Sequence, residues 1–98
     1  MTITKILNGA SLEIALEGRL DTITSPDLEK ELKNSLDAAE SLTFDFSRLD
    51  YISSAGLRVL LSAHKAMSKK AGMKITNVNE LVKEVFDVTG FADILTIE

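Results

Sequence analysis

Cysteine is absent from these 98 residues, which excludes disulfides, thiol redox chemistry and thiolate metal sites. No apolar run approaches the ~20 residues of a membrane helix, and Met1 to Leu7 lack the basic start and long apolar segment of a signal peptide. The expectation is a cytoplasmic protein without membrane insertion. Positive charge is also scarce: 11 Lys and Arg against 15 Asp and Glu give a formal net charge of −4. Nucleic-acid binding, which needs a basic face against phosphate, is disfavoured, and a protein partner fits better. There is no phosphate-binding P-loop, no nicotinamide fingerprint and no Gly-x-Ser-x-Gly nucleophile elbow, so no cofactor is expected. Internal repeats, linkers and low-complexity segments are missing as well. What is present suits one domain over residues 1–98, with 45% hydrophobic and 27% charged residues, the balance of a chain that folds alone.

Thr2 to Leu7 and Ser11 to Gly18 flank Asn8-Gly9, a dipeptide that tolerates positive φ and predicts a β-hairpin turn. In the second arm Leu12, Ile14 and Leu16 alternate with Glu13, Ala15 and Glu17, giving one apolar and one partly wet face. Ser25 as N-cap, Pro26 at the first helical position and Leu28, Leu32 and Leu36 every four residues predict a helix over Pro26–Ala39. Leu42 to Phe46 reads as a strand, followed by a turn through Ser47 to Asp50 and a second helix from Ser53-Ser54. Leu57, Leu60, Leu61 and His64 mark its apolar stripe, widened by Val59, Ala63 and Ala66. Met73 to Thr76 predicts a strand, Asn79 caps a third helix with Leu81, Val82, Val85 and Phe86, Gly90 stops it, and Ile94 to Ile97 forms an edge strand. The order ββαβαβαβ implies an α/β fold with an N-terminal hairpin, a mostly parallel mixed sheet and three main helices.

Function in such sheets gathers at the carboxyl ends of the strands. Asp21 follows one strand, Asp45 lies late in another, and Ser53-Ser54 opens the helix after it, so the three can share one edge. A serine there can cap orphan backbone N–H groups, or carry a phosphate that those groups and the helix dipole would stabilise. Capping explains one serine of the pair better than both. Asp21 also fits a turn former, Asp45 an outward strand residue, and Gly56 either tight packing on the sheet or close approach of a partner. His64 falls two to three turns from Ser54 and cannot be its base, and Lys65, Lys69 and Lys70 read as a solvated basic face. A phosphoaspartate receiver built on Asp21 and Asp45 with a divalent metal is discounted, because receivers carry a denser acidic cluster and a lysine late in the sheet.

Gly18-Arg19-Leu20-Asp21, Phe44-Asp45-Phe46, Tyr51 to Leu61 and the Phe86 to Gly90 helix end together resemble the STAS domain of bacterial anti-sigma factor antagonists, over nearly the whole chain. The resemblance implies that Ser54, two residues before the glycine, is the phosphoacceptor, with Ser53 second to it. It implies a binding module that is not an enzyme and needs no metal or cofactor. Its partners would be an anti-sigma factor that is itself a serine kinase and a serine phosphatase that restores the unmodified form. Asp21, Asp45, Ser53, Ala55, Gly56 and Arg58 would line the partner contact of a monomer or weak dimer. Ser53 departs from the pattern, since well-studied relatives commonly carry an aspartate there. The same domain could also serve as a constitutive interaction subunit, as in a lipid-transport complex, with Ser54 no more than a cap.

Overall fold

The hairpin that opens the chain pairs β1 (Thr2–Asn8) with β2 (Ser11–Leu20) in antiparallel register, Asn8 facing Ser11. The two turn residues are therefore Gly9 and Ala10, one position later than the Asn8-Gly9 turn expected. Gly9 at φ +60 takes the first central position, the left-handed place that a II′ hairpin turn reserves for glycine. The computed structural model describes residues 1–98. Beyond the hairpin, β3 (Ser41–Ile52), β4 (Gly72–Thr76) and β5 (Thr96–Ile97) add in parallel, giving the sheet order β1-β2-β3-β4-β5. Each crossover steps to the next strand on the same side. Right-handed connections that never reverse direction keep their helices on one face of the sheet.

Burial follows from this topology. Leu12, Ile14, Leu16, Leu42, Phe44, Phe46, Met73 and Ile75 point at the helices and are buried. The alternate residues, among them Glu13, Glu17, Thr43, Asp45, Lys74 and Thr76, form a polar face that no helix covers. Parallel sheets are usually covered on both sides, so this one depends on a single core layer, in which the Phe44 and Phe46 rings meet at 5.5 Å.

β3 runs straight through the turn expected at Ser47 to Asp50. Ala15 pairs with Asp45 but Glu17 with Arg48, and Gly18 pairs with Leu49 but Arg19 with Tyr51, so β3 carries one extra residue at each of two bulges. The buried positions record the insertions: Leu42, Phe44 and Phe46 are two apart, then Leu49 and Ile52 follow at intervals of three. The strand thus turns a core residue inward after each bulge. Its continuation also moves Asp45 from a strand end to the strand's middle, opposite Thr76, where β4 stops. Past that point the Asn79 side chain covers β3, its amide donating to the Leu49 carbonyl at 2.7 Å.

Helix α1 (Ser25–Ser35) begins one residue before the expected start, and Ser25 is not its N-cap. Thr24 holds that position without a side-chain cap, and the buried Ser25 hydroxyl instead donates to the Asp21 carbonyl. The helix tightens into a 3₁₀ turn over Leu36–Ala38, where the Lys70 ammonium donates to the carbonyls of Leu36 at 2.8 Å and Ala39 at 2.7 Å. Lys70 is therefore a tertiary C-terminal cap and not part of a solvated basic face. Helix α2 (Ser54–Met67) buries Gly56, Leu57, Val59, Leu60, Ala63 and Met67, while Leu61 and His64 are half-buried and Ala66 is exposed. Helix α3 (Glu80–Thr89) has Asn79 as its cap, accepting from the Val82 N–H at 2.8 Å, and ends at Gly90 with φ +80, as expected. It buries Val82 and Phe86 but leaves Leu81 exposed. A 3₁₀ turn over Phe91–Asp93 takes up the chain before β5, which shortens the last strand to two residues and leaves Ile94 outside it.

Replacing Lys70 with Met strips the cation from the end of α1. The expected loss is about 1–2 kcal/mol, the range for a partly exposed charged hydrogen bond, read as a lower urea midpoint at unchanged slope. A wild-type midpoint would show that the carbonyls are satisfied without it.

Candidate functional site

Ser53 and Ser54 stand at the junction of β3 with α2, and the local chemistry separates them. Ser53 is extended, with φ −101 and ψ 175, and its N–H donates to the Leu20 carbonyl at 2.9 Å. Its carbonyl accepts the first helical bond from Leu57 at 3.0 Å, and its hydroxyl accepts from the Gly56 N–H at 3.4 Å. That makes it the N-cap, although the hydroxyl bond is long and weak. Ser54 is the first helical residue; it is exposed, and its hydroxyl enters none of the side-chain hydrogen bonds that hold this edge. No imidazole or carboxylate engages it, so it is presented outward as a group to be acted on rather than as an activated nucleophile.

The two serines are held where they are by Gly56. A Cβ built on this residue would lie 2.8 Å from Cγ of Leu20 and 2.9 Å from Cγ1 of Ile52, closer than real side chains approach. The first turn of α2 thus rests directly on the ends of β2 and β3. Gly56 is buried, and its packing on the sheet is direct. Ala55 is half-buried and Arg58 is exposed. The first turn of α2 has no acidic residue.

Asp21 lies next to this seam, one residue past Leu20. Its carboxylate accepts from the N–H groups of Ile23 and Thr24, both at 3.0 Å, and closes the turn into α1, while Thr24 Oγ1 accepts from the Asp21 N–H at 2.9 Å. The turn-forming role is real, and Thr24, which sequence reasoning passed over, is its second half. The Thr24 N–H is the main reason that the Asp21 carboxyl ionises below its ordinary value of 3.8. Arg19 closes the group: its guanidinium stacks 4.2 Å from the Tyr51 ring centroid and comes within 3.8 Å of the Asp21 carboxylate.

Asp45 does not share this edge. Seven residues of β3 separate it from Ile52, about 20 Å at ~3.3 Å per residue allowing for the bulges, and it faces the open side of the sheet. There its carboxylate accepts from the Ser47 N–H at 3.0 Å and the Asn77 amide at 3.1 Å, which hold its pKa below the ordinary 3.8. Asp21 and Asp45 cannot act as one acidic pocket, and no group of three or more His, Cys, Asp or Glu is arranged to hold a metal. His64 sits ten residues along α2 from Ser54, about 15 Å by the helical rise, with a buried Nδ1 that has no partner. No helix is long and apolar enough to cross a membrane.

Two predictions follow from this geometry. Gly56→Ala forces Leu20 and Ile52 apart; an overpacking cost of about 1–3 kcal/mol set against the ~1 kcal/mol that alanine gains in a helix leaves a net loss of about 1 kcal/mol at mid-range, a drop of about 4–8 °C in melting temperature. An unchanged melting temperature would mean that the seam is loose. Asp21 and Asp45 both ionise more readily in the fold than in the unfolded chain, so each stabilises the protein above about pH 4, and that contribution is lost as the pH falls below 3.8. The variant Asp21→Asn with Asp45→Asn is expected to unfold at lower urea than wild type at pH 7, with the gap narrowing as the pH falls below 3.8; a gap that does not narrow at all on acidification would contradict the assignment.

The whole chain compares closely with known proteins. The family model for the STAS domain matches residues 2–98. A candidate anti-sigma factor antagonist of Bordetella bronchiseptica, BtrV, is 35% identical over 99 residues, covering 99% of this chain and 84% of the relative. Among solved structures, an anti-sigma factor antagonist from Mycobacterium paratuberculosis superposes with a TM-score of 0.88 at 20% identity, covering 98% of this chain and 83% of that one. The phosphorylated form of the Bacillus cell-fate determinant SpoIIAA superposes with a TM-score of 0.76 at 18% identity, covering 99% and 91%. The hairpin and the mixed, mostly parallel sheet are thus the fold of these solved relatives, and the chain belongs to the STAS domain family.

Proposed function

We propose that the protein is an anti-sigma factor antagonist switched by phosphorylation of Ser54. In its unmodified form it binds an anti-sigma factor that is itself a serine kinase using ATP, and so frees a sigma factor. The kinase transfers phosphate to Ser54 and ends the contact, and a serine phosphatase restores it. The chain is the substrate in both steps, not the enzyme. The observation that carries this reading is the division of labour at the junction: Ser53 caps α2, so the exposed Ser54 hydroxyl can be modified without removing a bond that the fold uses. The names of the relatives point the same way.

The physical consequence of the switch falls at the interface. A phosphate brings roughly −1.5 to −2 charge to the first turn of a helix whose free N–H groups and dipole favour an anion, so the domain stays folded. A partner seated on that edge meets new charge and bulk, and a loss of about 3–4 kcal/mol lowers affinity several hundredfold. The contact would draw on Asp21, Ser53, Ala55 and Arg58, with Gly56 setting the closeness of the backbone. Asp45, far off on the open sheet face, is left out of it.

Incubation with ATP and each anti-sigma kinase from the same genome, followed by mass spectrometry, tests the reading directly. One kinase is expected to place a single phosphate on Ser54, with none added to Ser54→Ala and full modification of Ser53→Ala. Ser54→Asp is expected to bind that kinase at least a hundredfold more weakly while melting within about 2 °C of wild type. No phosphate on either serine, or unchanged affinity in Ser54→Asp, would favour a constitutive interaction module.

A further inference from the structure

We propose that Arg58 is the intramolecular partner of a phosphate on Ser54, clamping it against α2 and being drawn out of solvent in the process. This rests on Ser54 as the phosphoacceptor and goes beyond it in assigning a receiver for the charge. Ser54 and Arg58 are four residues apart on one helix and both are exposed, so their side chains rise from the same face one turn apart. Side chains in a helix lean toward its N-terminus, which carries the guanidinium back over the turn that holds Ser54. The acid-first, base-second order at this spacing is also the favourable one. The planar fork of Arg matches phosphate oxygens two at a time.

The neighbouring charges single out Arg58. Arg19, across the seam, is already stacked on Tyr51 and lies against Asp21. Asp21 spends one carboxylate oxygen on its own turn, and Asp50 on β3 is exposed and forms no ion pair. Helix α2 contains no acidic residue that could compete for Arg58, and its other basic residues, His64 and Lys65, lie in its last turn. Arg58 takes part in none of the ion pairs of the fold, which leaves it an exposed cation without a resident counter-charge. Phosphorylation therefore does two things at once: it adds an anion to the edge and removes the free arginine beside it.

The test uses the full chain with phosphoserine incorporated at position 54 during translation, so that it does not depend on any kinase. The phosphate is titrated by phosphorus NMR in the chain with Arg58, in Arg58→Gln and in Arg58→Lys, and the Arg58 side-chain N–H signal is followed in parallel. With Arg58 present, the second phosphate ionisation is expected about 0.15–0.4 unit below its position in Arg58→Gln, with Arg58→Lys between the two. The Arg58 Nε–H signal is expected to sharpen and shift only in the phosphorylated chain. Identical titration midpoints in all three chains, or an unaltered Arg58 signal, would overturn the clamp. That result would leave the phosphoacceptor reading standing, whereas failure of every kinase to modify Ser54 would remove the reading itself. Because Arg58 is exposed, equal melting of the unmodified variants serves as the control that a change in titration is local.

Discussion

Everything at the serine edge depends on how closely the first turn of α2 lies against the ends of β2 and β3. The Ser53 N–H reaches the Leu20 carbonyl, and the missing side chain of Gly56 lets the helix rest on Leu20 and Ile52 at distances that no Cβ would permit. Glycine in the first turn of a helix costs backbone entropy, and here that cost is offset by the burial it allows. The consequence is positional. With its backbone fixed on both sides, the junction can present one hydroxyl to solvent while the adjacent one caps the helix. Substitution at Ser54 is thereby separated from the stability of the fold, which is what a reversible covalent switch requires.

The topology explains why this edge is available at all. Because every crossover steps the same way, the helices crowd one face of the sheet, and the opposite face is left to polar residues. The apolar content of a chain this short goes into a single core layer, with little left to build a deep pocket. Surface edges remain, and at the strand ends that carry Asp21, Ser53 and the start of α2 two turns, a capped helix and the exposed Arg58 come together. Arg19 flanks this edge from the sheet side, stacked on Tyr51 and within 3.8 Å of the Asp21 carboxylate, while the Asp21–Thr24 hydrogen bonds hold the turn itself.

Much of this was legible in the sequence. Alternation in β2, Pro26 at the start of α1, the Asn79 cap and the Gly90 stop of α3 are local signals, and each determines a local structure. The serine junction was legible for the same reason. The turn expected at Ser47 to Asp50 was misplaced because two bulges change the apolar spacing from two to three, and that interval imitates the end of a strand. Asp45 was misplaced with it, since its distance from Ser54 depends on whether the strand continues. Lys70 and Thr24 went unread for a different reason. The carbonyls that Lys70 caps are more than thirty residues away in sequence, and Thr24 acts through a turn whose other half is the Asp21 main chain. The Lys70 contact is long-range and leaves no periodicity to find, whereas Thr24 and Asp21 are three residues apart and form a side-chain turn that apolar spacing does not register.

The central claim is that phosphate at Ser54 changes the surface of one edge and not the fold. Amide NMR spectra of the unmodified chain and the chain carrying phosphoserine at position 54 test this most directly. The account predicts shifts confined to Arg19–Thr24 and Tyr51–Arg58, with the amides of β4, α3 and the open sheet face around Asp45 unmoved. Shifts spread through the core strands and α3, or loss of amide protection across the sheet, would show that the modification acts by remodelling the domain and would contradict it.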